Sequence, residues 1–300
     1  MAGLEPDTGV RFVDISRPAG IRFSHYNGAA GKKWLPETIG AGCAFTDLGG
    51  DGWADIVLLN GKDWTPSGKH HFPAFYRNDG SGLFSDVAPS TALSRTTLRD
   101  VTFGTFFFDY DLDGFADIFA VNGHIEPDIN RTQSDLQFRE PARLFHNNGR
   151  GSFDYVGSSA GPDIGRPIVG RGAAYADFDH DGDLDILIAA DGGPAELLRN
   201  DGGSKNNWIS VRLIGRQSNR SGLGAVVRVE SSSGKQWQAV HSGSSYCSQS
   251  DLSLTFGLKQ DRVVSKLTVS WPSGRTQHFE NISVNRILTV DEVSGLNTPE

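Results

Sequence analysis

The stretch DYDLDGFAD, residues 109–117, places aspartates at alternate positions around one glycine. Alternate side chains of an extended, turning loop point to one side, and glycine allows the sharp turn that closes such a loop. Calcium is a hard cation that takes about six to eight oxygen ligands, and a loop of this kind supplies several of them. We therefore predict a calcium loop whose ligands are four carboxylates and one backbone carbonyl: Asp109, Asp111, Asp113, Asp117 and the carbonyl of Phe115.

Nearly the same phrase occurs twice more, as DLGGDGWAD at 47–55 and as DFDHDGDLD at 177–185. The third copy predicts the ligands Asp177, Asp179, Asp181 and Asp185, with the carbonyl of Asp183. The first copy predicts Asp47, Asp51 and Asp55, with the carbonyl of Trp53. Gly49 stands where the other copies have a second carboxylate, so we expect the first of about three calcium sites to be the weakest.

The charge of the chain is concentrated in these loops. They hold twelve aspartates, whereas the net charge of the whole 300-residue chain is −8. Bound dications would relieve the repulsion between the carboxylates, and magnesium is disfavoured because it demands a tight octahedron and keeps its water. No glutamate occupies the twelfth position of any copy, so the loops are predicted to connect strands rather than the helices of an EF-hand.

The segments around the loops predict β-strands. Each loop runs into an apolar stretch, IVLLNG, IFAVNG or ILIAAD, and each copy is followed by a turn of the type FYRNDG, LFHNNG or LLRNDG. A repeat of about 65 residues fits one multi-stranded propeller blade. Three blades are clear, and three arrangements remain open: an open arc, a compact toroid in which irregular strands make a fourth blade, and part of an oligomer. The opening strand RFVDIS, 11–16, is predicted to pair with the last repeat, which has no such strand of its own.

The pattern changes after GGSKNN, 202–207, which reads as a linker. We therefore predict a repeat domain over 1–203 and a second domain over 204–300. The second domain contains six or seven segments with alternating, β-branched residues separated by turn signals such as SSSGK and WPSGR. That pattern favours a small antiparallel β-sandwich.

Several classes of protein are disfavoured by composition. No apolar run approaches the length of a membrane span, so no membrane insertion is expected. No stripe of basic residues marks a nucleic-acid surface. No signal peptide is visible in MAGLEPDTGV, but a trimmed chain would look the same. Cys43 and Cys247 are expected as buried or half-buried free thiols, although their spacing does not show whether they pair.

The chain also resembles a known family. Its DxDxDG repeats with RN-x-G turns resemble FG-GAP/VCBS repeats, and its tail resembles the ASPIC/UnbV domain of cartilage acidic protein-like proteins. The resemblance of the tail is carried by LIGRQSNRSGLGAVVRV, SGSSYCSQSDLSLTFGL and LTVSWPSG, at 213–229, 242–258 and 267–274. It implies an all-β fold in which propeller-like calcium-binding repeats precede the β-sandwich.

Two functions are compatible with these patterns. The favoured one is a calcium-stabilised extracellular or periplasmic binding or adhesion module that is not an enzyme, with a protein or glycan partner on loops 62–75 and 124–142. The alternative is a calcium-dependent enzyme acting on an extracellular glycan or another polymer. Its candidate residues would be His124, Glu126 and Asp128, but these are better explained as polar anchors of their loop, so we predict no catalytic residue. The oligomeric state is left open.

Overall fold

The structure is a computed structural model that describes residues 11–27, 96, 100–132, 134–149, 153–202 and 205–297, together with the backbone alone of 43–46, 55–58 and 74–76. The described chain is dominated by β-strands, which confirms the predicted all-β class. Helical segments are short: α1 (Ile129–Thr132) and a 3-10 turn at Gly157–Ala160. In the part of the chain that is described, no helix has the length and apolarity needed to cross a membrane.

The three repeats form three separate sheets, in each of which the strands of the repeat run antiparallel in chain order. The first sheet contains β2 (Cys43–Thr46), β3 (Asp55–Leu58) and β4 (Ala74–Tyr76). The second contains β5 (Thr102–Phe108), β6 (Asp117–Asn122), β7 (Arg143–Asn147) and β8 (Phe153–Tyr155). The third contains β9 (Gly170–Ala176), β10 (Asp185–Ala190) and β11 (Glu196–Asn200).

A strand from the start of the chain completes the third sheet. Strand β1 (Phe12–Asp14) pairs antiparallel with β11, with Phe12 opposite Asn200 and Asp14 opposite Leu198. Hydrogen bonds from Ile15 N to Leu197 O and from Asp201 N to Arg11 O extend this pairing at both ends. The prediction that the opening strand pairs with the last repeat is therefore confirmed. The pairing covers an edge that would otherwise leave backbone groups unpaired.

After Asp185, the middle strand of the third repeat, β10, is apolar without interruption because both of its faces are covered. Every side chain of β10 is buried. Ile186 and Ile188 enter one hydrophobic cluster, whereas Leu187 and Ala189 enter another on the opposite face. The first cluster also contains Phe12 and aromatic residues of β5, so it joins the second and third repeats.

The tail contains two four-stranded sheets. One has the order β14 (Gly234–Ala239), β13 (Val226–Ser231), β17 (Val263–Ser270) and β18 (Thr276–Ser283). The other has the order β16 (Leu254–Gly257), β12 (Trp208–Ile214), β19 (Arg286–Asp291) and β20 (Gly295–Asn297). Both contribute to one apolar core, as expected for a sandwich. The pair β12–β19 is parallel, so the sandwich is not wholly antiparallel as the strand pattern had suggested.

A short strand of the tail belongs to the first repeat's sheet. Strand β15 (Ser248–Gln249) pairs in parallel with β2 and supplies the fourth strand of that sheet. It also lies against β9, as does β2. The division at 203/204 stays a prediction, and this strand is one element that crosses it.

Candidate metal centres

The three acidic loops begin and end at equivalent positions of the paired strands that flank them. In each repeat the residue before the loop pairs with the loop's last aspartate: Thr46 with Asp55, Phe108 with Asp117 and Ala176 with Asp185. Each loop therefore connects two neighbouring strands at the same register, and its last carboxylate belongs to the first residue of the second strand. Of the predicted ligands in the first loop, Asp47, Asp51 and Trp53 lie outside the described residues, and only the backbone of Asp55 is described.

In the second loop, the first carboxylate closes the turn by accepting backbone hydrogen bonds. Asp109 accepts from Asp113 N at 3.0 Å and from Gly114 N at 2.8 Å. Asp113 in turn accepts from Phe115 N at 2.9 Å. Gly114 has a φ of 88°, a left-handed conformation that glycine adopts without strain. The glycine of the motif is thus required by the turn.

The third loop repeats this arrangement. Asp177 accepts from Asp181 N and Gly182 N, both at 3.1 Å, and Asp181 accepts from Asp183 N at 2.9 Å. Gly182 has a φ of 103°. The predicted carbonyl donor Asp183 has a fully buried side chain, which the sequence did not indicate. Two copies with one hydrogen-bond pattern show that the spacing of the aspartates determines the shape of the loop.

In the second and third repeats, the Asn of the RN-x-G-type turn donates a hydrogen bond to the last carboxylate of its loop. Asn147 N donates to Asp117 at 2.6 Å, and Asn200 N donates to Asp185 at 2.8 Å. The Asn147 side chain also donates to Ala116 O at 3.0 Å. The turn motif, recognised in the sequence only as a repeat marker, therefore positions a carboxylate more than ten residues before it.

The structure brings most of the predicted ligands of these two loops together. Ligand atoms lie within 4.8 Å of one another in three groups: Asp109, Asp111 and Asp117; Asp177, Asp179 and Asp185; and Asp111, Asp113 and His146. Asp181 is in none of these groups; its carboxylate accepts the hydrogen bond that shapes its own turn. Both loops therefore contain oxygen clusters that could hold a metal ion.

Burial makes these clusters costly when they are charged. Desolvation, followed by repulsion from Asp117, Asp111 and Asp113, raises the pKa of Asp109 well above its usual value. Burial raises the pKa of Asp117 to about 7, and burial with the charge of Asp181 raises that of Asp177 to about 8. These pKa shifts mean that protons compensate the carboxylates in the metal-free protein. A dication would replace those protons on binding.

His146 is a member of the second cluster that the sequence interpretation missed. Its Nδ1 lies 3.3 Å from Asp117 Oδ1 and 3.4 Å from Asp111 Oδ2. The Asp117 carboxylate raises the pKa of His146 to about 9, against the effect of its burial. The signal was present in LFHNNG, because the third repeat has Arg199 at this position. The two described loops thus differ in the basic group beside the carboxylates.

Both loops lie against the tail. Trp208 and Gly257 are cross-strand partners on β12 and β16. A Cβ at Gly182 would overlap the Trp208 ring, and a Cβ at Gly257 would overlap the Asp109 carboxylate. The cross-strand pair of Trp208 and Gly257 therefore contacts both the second and the third acidic loop.

Two hydrogen bonds fix the tail to the backbone of the second loop. Asn206 Nδ2 donates to Asp111 O at 2.9 Å. Lys259 N donates to Leu112 O at 3.3 Å, and its ammonium lies 4.2 Å from the centre of the Phe115 ring. The loop is therefore held from the tail side as well as from its own strands.

The other polar clusters shape their own loops. Glu126 N donates to the His124 ring at 3.0 Å, and Asp128 N donates to the Glu126 carboxylate at 3.3 Å. This agrees with the interpretation of these residues as loop anchors, and α1 provides the helical turn of this segment. In the segment HSGSSYCSQSD, 241–251, Ser250 N donates to Ser244 Oγ at 3.1 Å.

Cys247 of the same segment is an exposed free thiol, so the expectation of a buried or half-buried side chain is wrong for it.

Comparisons with known proteins agree with this geometry. The family model described as FG-GAP-like repeat matches residues 47–120 and 127–188, and the model described as ASPIC and UnbV matches residues 215–297. Cartilage acidic protein 1 of Xenopus tropicalis is 29% identical over 284 residues, which are 93% of this chain and 39% of that protein. Cartilage acidic protein 1 of Homo sapiens is 27% identical over 290 residues, 93% of this chain and 38% of that protein. The chain thus spans about two fifths of the length of these relatives.

Proposed function

Since the chain belongs to the proteins that join FG-GAP-like repeats to an ASPIC and UnbV domain, we propose that it is a calcium-stabilised extracellular or periplasmic binding module. In this proposal the ions have a structural role. They neutralise the acidic loops and fix the turns between strands, and recognition takes place on other loops of the repeats.

The observation that carries the proposal is the repeated crowding of buried carboxylates. Asp117 and Asp185 are both fully buried, and each belongs to a group of three carboxylates whose oxygens lie within 4.8 Å of one another. Unneutralised charges this close and this deep are costly. The same arrangement in two repeats makes an accidental cluster a poor explanation.

Calcium suits these loops better than magnesium. The donors are carboxylate and carbonyl oxygens on a short loop, and the large calcium ion accepts irregular oxygen coordination of this kind. Extracellular calcium is also abundant enough to fill sites of modest affinity. The names of the relatives refer to cartilage, a tissue made largely of extracellular matrix, which supports the same location.

The partner is proposed to be a protein or a glycan that contacts loops 62–75 and 124–142. Of these, 124–132 and 134–142 are described, and Ile125 is an exposed large apolar residue there. Variable loops held by a rigid β-scaffold are a common location for recognition.

The test is metal analysis of the purified full chain after dialysis against calcium-containing buffer, with thermal unfolding in calcium and in chelator. We expect two or three calcium ions per chain and a lower Tm in chelator, because an ion bound only by the folded state stabilises it. Magnesium in excess should not restore the Tm. A protein without bound calcium, or with the same Tm in both buffers, would contradict the proposal.

A further inference from the structure

The outer face of one tail sheet carries a row of four side chains, Trp237, Arg228, Thr268 and His278, which we call the tryptophan row. The pairing register places Trp237 opposite Arg228, Arg228 opposite Thr268, and Thr268 opposite His278. The row therefore crosses strands β14, β13, β17 and β18 in that order. Neighbouring strands lie about 4.8 Å apart, so the row is about 14 Å long.

The row faces solvent because its neighbours along the strands point the other way. The two valines that flank Arg228 are buried in the apolar cluster of the tail, and side chains alternate between the two faces of a strand. Gln236 and Gln238 flank Trp237 and donate to carbonyl groups of β16, each at 2.6 Å. Trp237 is therefore directed outward, and with 68% exposure it is the most exposed large apolar side chain of the described residues.

The surroundings of the indole suit a sugar better than a protein surface. A protein-binding hot spot is enclosed by contacts that exclude water from its centre. Here one adjacent row consists of four charged residues, Lys235, Glu230, Lys266 and Glu280. The other adjacent row is small or apolar beside the indole and carries hydroxyl groups beside His278: Ala239, Val226, Ser270 and Thr276. An aromatic face at one end packs on the C–H groups of a sugar ring, and polar side chains at the other end bind hydroxyl groups.

The charges of this face leave one cation without a partner. Lys235 lies 2.9 Å from Glu230, and Lys266 stands between Glu230 and Glu280 in the register, so the charged row is balanced. Arg228 donates to a serine hydroxyl at 3.3 Å, and no carboxylate of the described residues is within ion-pair distance of its guanidinium. A planar guanidinium binds a carboxylate through two parallel hydrogen bonds. The face is therefore complementary to a ligand that carries an acidic group next to a ring.

We propose that the tryptophan row binds a glycan chain with carboxylate groups, such as a polymer of uronic acids. One sugar ring packs on the face of Trp237, and a carboxylate of the chain accepts hydrogen bonds from Arg228. Thr268 and His278, whose side chains lie 3.1 Å apart, extend the row towards further hydroxyl groups. The site uses none of the acidic loops or the repeat loops, so it goes beyond the function proposed above and stands independently of calcium.

The test is a calorimetric titration of the full chain, in calcium buffer at low salt, with a tetragalacturonate and with its methyl ester. The ester has the same rings without the charges. We expect the acid to bind and the ester to bind at least about tenfold more weakly, because the charge-assisted hydrogen bonds to Arg228 are lost. Added salt should weaken binding of the acid, since an exposed ion pair is screened. No binding of the acid, or equal affinity for acid and ester, would overturn the proposal.

Two variants separate the ring from the charge. Trp237→Ala should weaken binding of the acid by more than about tenfold, and Arg228→Gln should lower the affinity for the acid to that for the ester. Both side chains are exposed, so the Tm should change little. The matched control is Val293→Ala, which shortens another exposed apolar side chain of the tail and should bind like the wild type. Wild-type affinity in Trp237→Ala would contradict the proposal.

A protein is the other class of occupant that the experiment distinguishes. If the wild-type chain binds neither sugar but self-associates in sedimentation, and Trp237→Ala abolishes that association, the face is an interface between copies and the glycan assignment is wrong. The metal analysis reports on the acidic loops alone, so its failure would leave the outcome of the sugar titration unaffected.

Discussion

Replacement of Asp117 by asparagine should change stability in opposite directions with and without calcium. The side chain is fully buried, and burial raises its pKa in the metal-free fold from the ordinary 3.8 to about 7. At about pH 8, holding this carboxylate charged therefore costs the metal-free fold about 4 kcal/mol relative to the unfolded chain. An uncharged amide of nearly the same shape removes that cost.

One loss reduces the gain. The amide nitrogen of the new side chain would face Tyr110 N–H, whose hydrogen bond to Asp117 would be lost at a cost of about 1 kcal/mol. The attraction between His146 and the Asp117 carboxylate, whose atoms lie 3.3 Å apart, is already contained in the pKa of about 7, so its loss is not subtracted again. We expect D117N to be about 3 kcal/mol more stable than the wild type in chelator at pH 8.

Saturating calcium should reverse the sign. The ion neutralises the wild-type carboxylate, whereas the variant lacks a charged ligand. If its affinity falls a thousandfold, binding contributes about 4 kcal/mol less, so the variant becomes about 1 kcal/mol less stable than the wild type.

The dependence on pH follows from the direction of the shift. A raised carboxyl pKa stabilises the fold below about pH 4, and that contribution is lost as the pH rises to about 7. The advantage of D117N in chelator should therefore be absent near pH 4 and grow towards pH 8.

The assay is urea unfolding of both proteins in chelator and in millimolar calcium, with the exposed Asp154→Asn as the matched control. The control should change stability little in either buffer. If D117N is destabilised equally in both buffers, the second loop does not hold calcium and the reasoning is refuted.

Three further predictions concern the tail. Gly257→Ala should destabilise the protein by more than about 2 kcal/mol and weaken calcium binding in a titration, because its Cβ would overlap the Asp109 carboxylate; unchanged calcium affinity would contradict this. Trp208→Phe should reduce the calcium-dependent change in tryptophan fluorescence, because the Trp208 ring packs on Gly182 of the third loop; a change of the same size would contradict it. Asp291→Asn should flatten the loss of stability in acid, followed by unfolding at pH 2 to 5. Hydrogen bonds from Ser294 N and Val293 N lower the pKa of Asp291 to about 2, so its contribution is present above about pH 4 and lost as the pH falls.

The repeats could be predicted because chemistry and backbone geometry impose the same pattern. In the motif the first aspartate accepts the backbone hydrogen bonds that close the turn, and the glycine allows the left-handed conformation that Gly114 and Gly182 both adopt. The missing strand of the third repeat also left an edge that only another segment could cover, and β1 covers it. Local periodicity and the absence of a strand segment from one repeat can both be recognised directly in a sequence.

The contacts missed from the sequence are those set by distant parts of the chain. Strand β15 has only two residues, so no periodicity announces it, and its partner β2 lies in the first repeat. His146 occupies the position that Arg199 has in the third repeat. Only the fold shows that its ring lies beside two carboxylates. The parallel partner of β12 could not be recognised because alternation does not encode strand direction.

The attachment of the tail to the repeats is coupled to the second and third acidic loops, because the tail packs on both. The cross-strand pair of Trp208 and Gly257 packs on both loops. Gly257 lies against the carboxylate of Asp109, whose pKa is raised chiefly by burial. Part of the desolvation that makes the empty cluster costly is therefore imposed by the tail. The proposed calcium ion would remove the charge repulsion and so lower the cost of that contact, and an attached tail would shield the ion from water. By linkage, ion binding and attachment of the tail would favour each other to the same extent.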